Sequence, residues 1–138
     1  MPDVAETERA DLGAMVMRLG RRLLAMEQPI LEHHGVSMWA YVVLTGLRDG
    51  PARAQATLAA AIGADKTRLI PILDDLQKRG LIERDPDPVD RRVRLLQLTA
   101  EGRRLQKAVQ GDIRKAEETI LAETDDPEAF IAALRALS

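Results

Sequence analysis

The sequence predicts a mainly α chain carrying one small two-stranded β wing. The 138 residues are 46% hydrophobic but only 2% aromatic and 30% charged, so Leu, Ile, Val, Ala and Met must fill the core. That composition favours helices over sheets, and the length suits one domain. Apolar residues also recur at three- and four-residue steps through long stretches, the period of a helix with one buried face. Two short β-prone runs flank a proline-rich hexapeptide.

In chain order, residues 8–33 read as a long amphipathic helix, with Leu12, Met15, Val16, Leu19, Leu23 and Met26 on one stripe. Pro29 is expected to bend or end its last turns, because proline lacks the N–H and crowds the carbonyl four residues back. Ser37 is a natural N-cap for a second helix, Met38–Leu47, which Asp49-Gly50-Pro51 closes. A short helix at about Gln55–Ile62 ends at Gly63, a position that suits a left-handed residue. Asp65 caps a further helix to about Arg79, with Leu69, Ile72, Leu73 and Leu76 inward, and Gly80 stops it. A short helix, a glycine-containing turn and a longer helix make the helix-turn-helix pattern.

Leu81–Arg84 and Val93–Leu98 then read as strands. The intervening Asp85-Pro86-Asp87-Pro88-Val89-Asp90 is too proline-rich to continue the ladder. An isolated hairpin is marginal in water, so the wing must lean on the helices through Leu81, Leu96 and Leu98. Thr99 caps a long helix, about Ala100–Glu123, with Leu105, Val109, Ile113, Ala116 and Ile120 on one face. A last helix follows Pro127 with Phe130, Ile131, Leu134 and Leu137. The apolar stripes at the two ends of the chain are expected to build a homodimer; the plainer reading uses them to close a monomeric core.

The formal net charge is −2, which does not announce a nucleic-acid partner, but the charge is uneven. Residues 91–104 hold Arg91, Arg92, Arg94, Arg103 and Arg104 against Glu101 alone. Residues 117–128 hold six acids and no base. A local basic patch can bind phosphate on an acidic chain, although such a run also serves as an ordinary solvated face. The absence of cysteine excludes disulfides, thiolate zinc sites and thiol redox switching. No apolar run approaches the ~20 residues that span a bilayer, and the acidic start, with Asp3, Glu6, Glu8 and Asp11, is unlike a signal peptide. A cytoplasmic location is the expectation, with no membrane partner.

The stretch Leu58–Gly102 resembles the MarR (multiple antibiotic resistance) family. The resemblance rests on Leu58-Ala59, Gly63, Asp65-Lys66-Thr67, Leu73-Asp74, Leu76, Arg79-Gly80-Leu81-Ile82, Arg84, Asp90-Arg91-Arg92 and Leu98-Thr99-Ala100-Glu101-Gly102. It implies a single domain over 1–138, with a winged helix-turn-helix lobe at 37–102 and helical dimerisation segments at 8–33 and 103–138. It further implies a homodimeric, sequence-specific regulator of transcription on double-stranded, palindromic DNA, most often a repressor released by a small, anionic aromatic effector. A protein-docking winged helix and a ligand-independent DNA regulator are the alternatives.

The residues give that implication its chemistry. Lys66, Thr67 and Arg68 occupy the first turn of the second helix, where backbone N–H groups and the helix dipole favour phosphate. The resemblance assigns Arg92 to a minor groove, with Asp90 holding its guanidinium; Asp90 also reads as a turn former. Arg91 and Arg94 are expected on phosphates, which supply affinity more than discrimination. Ile70 and Pro71 depart from the family, which often places polar or basic readers there, and Pro71 is expected to distort the helix. Met26, His34, Trp39 and Val43 are candidates to line an effector pocket, and Trp39 and Met26 serve equally well as core. His33-His34 have no further His or Cys to complete a metal site. No phosphate loop, nucleophile elbow or paired-carboxylate set is present, so no enzyme activity and no cofactor are expected.

Overall fold

A computed structural model describes residues 8–49 and 53–138. Six helices are arranged around a small sheet: α1 (Leu12–His33), α2 (Met38–Leu47), β1 (Arg53–Ala54), α3 (Gln55–Ile62), α4 (Lys66–Lys78), β2 (Ile82–Pro86), β3 (Arg94–Leu98), α5 (Ala100–Leu121) and α6 (Pro127–Leu137). Asp3 and Glu6 of the acidic start, and Gly50-Pro51 of the expected stop after α2, lie outside the described residues.

Local chemistry sets most boundaries. Ser37 Oγ accepts the Ala40 N–H at 3.1 Å, Asp65 accepts that of Thr67 at 3.2 Å, and Thr99 Oγ1 accepts that of Gly102 at 3.0 Å. Each uses an amide that the first turn of a helix leaves without an intrahelical partner. Gly63 and Gly80 take φ of 68° and 74°, the left-handed exit anticipated for glycine. At Gly80 the Leu81 N–H returns to the Leu76 carbonyl at 2.9 Å, which turns the chain straight into the wing.

Three expectations need correction. The long helix α1 starts at Leu12 rather than residue 8, and as expected it runs to His33, with Pro29 inside it. Pro29 and Ala25 are both exposed, so the carbonyl that proline leaves unpaired can face water. Pro71 likewise lies inside α4, as expected, and it too is exposed. The wing ladder runs further than expected: Asp85 pairs with Leu95 and Pro86 with Arg94. The sheet order β1-β3-β2 makes β2 an edge strand, where a missing N–H costs no ladder bond. Finally, β1 adds a third, two-residue strand, pairing Arg53 with Leu96 and Ala54 with Leu95. The wing proper remains the antiparallel β2–β3 pair.

The core lies between α2, α3, α4, the sheet and the middle of α5. Val43, Leu44, Leu58, Leu69, Leu73, Leu76, Leu96 and Val109 are all fully buried there. Leu81 and Leu98 are buried beside them, so the wing is anchored through the three leucines expected to hold it. The Thr99 hydroxyl also donates to the Gly80 carbonyl at 2.7 Å, and the Thr99 N–H to the Leu81 carbonyl at 3.1 Å. Helix α4, the wing and the start of α5 therefore meet at one hydrogen-bonded corner.

The ends of the chain are different. Leu12, Met15, Val16, Met17 and Leu24 of α1 and Ile131, Leu134 and Leu137 of α6 are exposed. Leu19 and Leu23 of α1 line a shallow concavity with Phe130 and Ile131 of α6. Along the seam of α1 with α5, His34 Nε2 lies 2.7 Å from Asp112 Oδ2, and Arg22 pairs with Glu123. Glu27, half-buried on the same seam, has its carboxyl pushed above the usual range, first by burial and then by the charge of Glu117.

Candidate nucleic-acid interface

Two elements build the candidate surface: the first turn of α4 and the wing beyond it. Lys66, Thr67 and Arg68 are all exposed, as a contact surface requires. The Thr67 amide is already spent on Asp65, so at this residue the side chain rather than the backbone faces a ligand. The Arg68 guanidinium carbon lies 5.9 Å from the centroid of the half-buried Trp39 ring, within cation–π range. Trp39 thus supports one flank of α4 from beneath.

The wing loop, residues 87–93, is shaped by its own short side chains. Asp87 Oδ1 accepts the Val89 N–H at 2.8 Å, and the Val93 N–H donates to the Asp90 carbonyl at 2.9 Å. Asp90 performs both tasks open to it. Its Oδ1 accepts the Arg92 backbone N–H at 3.1 Å, which closes the turn, and the Arg92 Nε at 3.1 Å, while Oδ2 accepts the second guanidinium nitrogen at 3.4 Å. These bonds hold the Asp90 carboxyl below the usual carboxylate range. The Arg92 side chain is nonetheless 92% exposed. A cation held at its base and bare at its outer edge is aimed rather than buried.

Arg91 and Arg94 are exposed as well. The fold brings Lys66, Arg92 and Arg94 around one depression between α4 and the wing, with Gln55 also in its lining. An adjoining hollow is lined by Gln55, Ile70, Gln77, Arg84 and Arg94. Two of these residues had no role at the level of sequence. Gln55 opens α3 and reaches the site because β1 places that helix beside β3. Arg84 donates through Nε to Gln77 Oε1 at 2.7 Å and also binds Asp74, which ties the wing strand to α4. Its presence in the family-like pattern was the available signal. A bridge between helix and wing matters because one rigid body must meet two features of a ligand at once.

The four residues considered for an effector pocket lie in different settings. Val43 is fully buried in the core, and Trp39 lies under Arg68. Met26 lines a shallow surface depression on the α1–α5 seam with Arg22 and Ile120, and His34 faces Asp112. The His33 and His34 rings meet edge to face at 5.3 Å. Among the described residues, no group of three or more His, Asp or Glu could hold a metal ion, and no helix is long and apolar enough to cross a membrane.

Residues 36–93 match the model of the MarR family. The transcriptional repressor MprA of Escherichia coli (strain K12) is 31% identical over 93 residues, which make up 66% of this chain and 53% of MprA. The chain spans about half the length of the curated relatives it matches, from 48% to 57%. Among solved structures, CouR from Rhodococcus jostii RHA1 bound to p-coumaroyl-CoA superposes with a TM-score of 0.80 at 28% identity, covering 92% of this chain and 88% of that one. The transcriptional repressor CouR bound to a 23-mer DNA duplex gives a TM-score of 0.81 at 27% identity, covering 92% and 89%.

Proposed function

We propose that this chain, whose residues 36–93 match the model of the MarR family, is a sequence-specific, double-stranded DNA-binding regulator of transcription. One observation carries the reading: Lys66 from α4 and Arg92 and Arg94 from the wing surround a single depression, with Arg92 aimed outward by Asp90. In a winged helix, α4 enters a major groove and the wing reaches the neighbouring minor groove, so the strand between them passes over this depression. Lys66, Thr67 and Arg68 contact the DNA from α4. Arg91 and Arg94 take phosphates, and the fork of Arg92 enters the narrow groove, where the negative potential is greatest. The chemistry assigned to it is binding alone, without catalysis, metal or cofactor. The protein acts in the cytoplasm.

The lobe of residues 37–102 does the reading, while 8–33 and 103–138 pair two copies. The exposed apolar residues of α1 and α6 support that role, since so many large apolar side chains on two helices are otherwise left to water. A homodimer presents two α4 helices to a palindromic operator about one turn of DNA apart. Repression with release by a small anionic aromatic effector is the mode proposed. It is supported by the similarity to MprA, a repressor, and to CouR, solved with p-coumaroyl-CoA. Met26, His34, Trp39 and Val43 remain the residues assigned to that effector.

The DNA reading is tested by fluorescence anisotropy with labelled duplex over a range of salt. Affinity is expected to fall steeply, with a log–log slope of about 0.9 for each phosphate neutralised. A salt-indifferent protein without duplex affinity is instead a protein-docking module. Sedimentation velocity at micromolar concentration is expected to show a species of twice the 15.2 kDa chain mass. A monomer there removes the palindrome and leaves single-site binding.

A further inference from the structure

The middle of α4 lacks the polar side chains that read base edges by hydrogen bonding. Leu69, Leu73 and Leu76 are fully buried, which leaves Ile70 and Pro71 off the packed stripe. Ile70 keeps 44% of its surface exposed, and Pro71 beside it is exposed too. Further along the helix, Asp74 and Gln77 are both engaged by Arg84. Their hydrogen-bonding capacity is directed to holding the wing. Ile70 meanwhile lines the hollow that Arg94 also borders, so it lies on the same side of α4 as the wing cations.

A single exposed apolar side chain is ordinary on a protein surface. This one stands on the element assigned to the major groove, one turn beyond Lys66, with the apolar Pro71 next to it in the chain. Neither Ile nor Pro side chains donate or accept hydrogen bonds. In the major groove the one alkyl group that the bases present is the C5 methyl of thymine. We infer that Ile70, with the Pro71 ring beside it, is a specificity-determining contact that reads thymine methyl groups. This rests on the DNA-binding reading above. The unbroken course of α4 through Pro71 fits the role, because the ring is presented on the helix surface instead of ending it.

The full chain is first used to select duplexes from a random pool, and thymines in a selected duplex are then replaced one at a time by uracil, which removes only the methyl. In each half-site, at least one replacement is expected to weaken wild-type binding about three- to fivefold, the worth of one buried methyl. Ile70→Ala is expected to bind the thymine and uracil duplexes within about twofold of each other, and Ile70→Val to keep the preference. The exposed site makes both variants fold as the wild type does, which a melting curve verifies. Wild-type binding that is salt-dependent yet indifferent to every methyl overturns this inference alone, as does an undiminished thymine preference in Ile70→Ala. Absence of salt-dependent duplex binding overturns the parent reading and this one with it.

Discussion

Gly102→Ala is expected to destabilise the protein by about 3 kcal/mol or more, enough to lower its melting temperature by on the order of 10 °C. Helix propensity alone argues the opposite, since Gly to Ala inside a helix gains roughly 1 kcal/mol. The packing decides the sign. A Cβ at Gly102 meets the Leu81 carbonyl oxygen at 2.0 Å and its carbon at 3.0 Å. These are backbone atoms and cannot rotate away. Leu81 is held by its N–H to Leu76 and by the Thr99 N–H on its carbonyl, so relief requires α5 to leave the corner that joins α4 to the wing. Gly111 on the same helix provides the internal comparison. Nothing lies within 4 Å of a Cβ there, so Gly111→Ala is expected to follow propensity and raise stability by about 0.5–1 kcal/mol. Thermal or urea unfolding of both variants checks the pair. Equal shifts of one sign defeat the steric account.

Arg92→Ala is expected to cost about 1–3 kcal/mol of operator binding, or roughly five- to 150-fold in Kd, with no change in melting temperature. The two effects separate because the side chain is 92% exposed and, among the described residues, its one ion pair is with Asp90. An exposed pair two residues apart adds little to stability, whereas the same guanidinium in a narrow groove meets concentrated negative potential. Arg92→Lys is expected to recover only part of the loss, because an ammonium cannot keep both contacts to the Asp90 carboxylate. The pairing itself withstands moderate acid. A carboxyl held below its ordinary range stays ionised as pH falls to that range, and releases the guanidinium only as pH passes its lowered value. Unchanged duplex affinity in Arg92→Ala removes the wing from the interface.

The contrast between these two sites shows which information is local. The Arg92 arrangement spans three residues, and Asp90 with Arg91-Arg92 is readable without any knowledge of the fold. Ser37, Asp65 and Thr99 are of the same kind, since each bonds an amide only two or three residues ahead. So are Gly63 and Gly80, whose φ follows from the helix ending there. Proline in the wing was read too strongly for the same local reason. The rule that it breaks a ladder is a rule about backbone groups left without partners. At Pro86 the edge position of β2 removes the difficulty.

The sequence by itself therefore determined the order of helices, their caps, the existence of the wing and the cations on it. Those features depend on contacts within about four residues and on the periodicity of apolar side chains. Only the tertiary structure decided that Gly102 must be glycine, since its constraint comes from a carbonyl 21 residues earlier in the chain. It also decided that Arg84 locks the wing to α4, that β1 brings Gln55 to the site, and that Val43 is sealed in the core. The gathering of Lys66, Arg92 and Arg94 around one depression belongs to the same class. Such facts arise when elements distant in the chain pack at van der Waals contact, and the spacing of residues along the chain carries no measure of that distance.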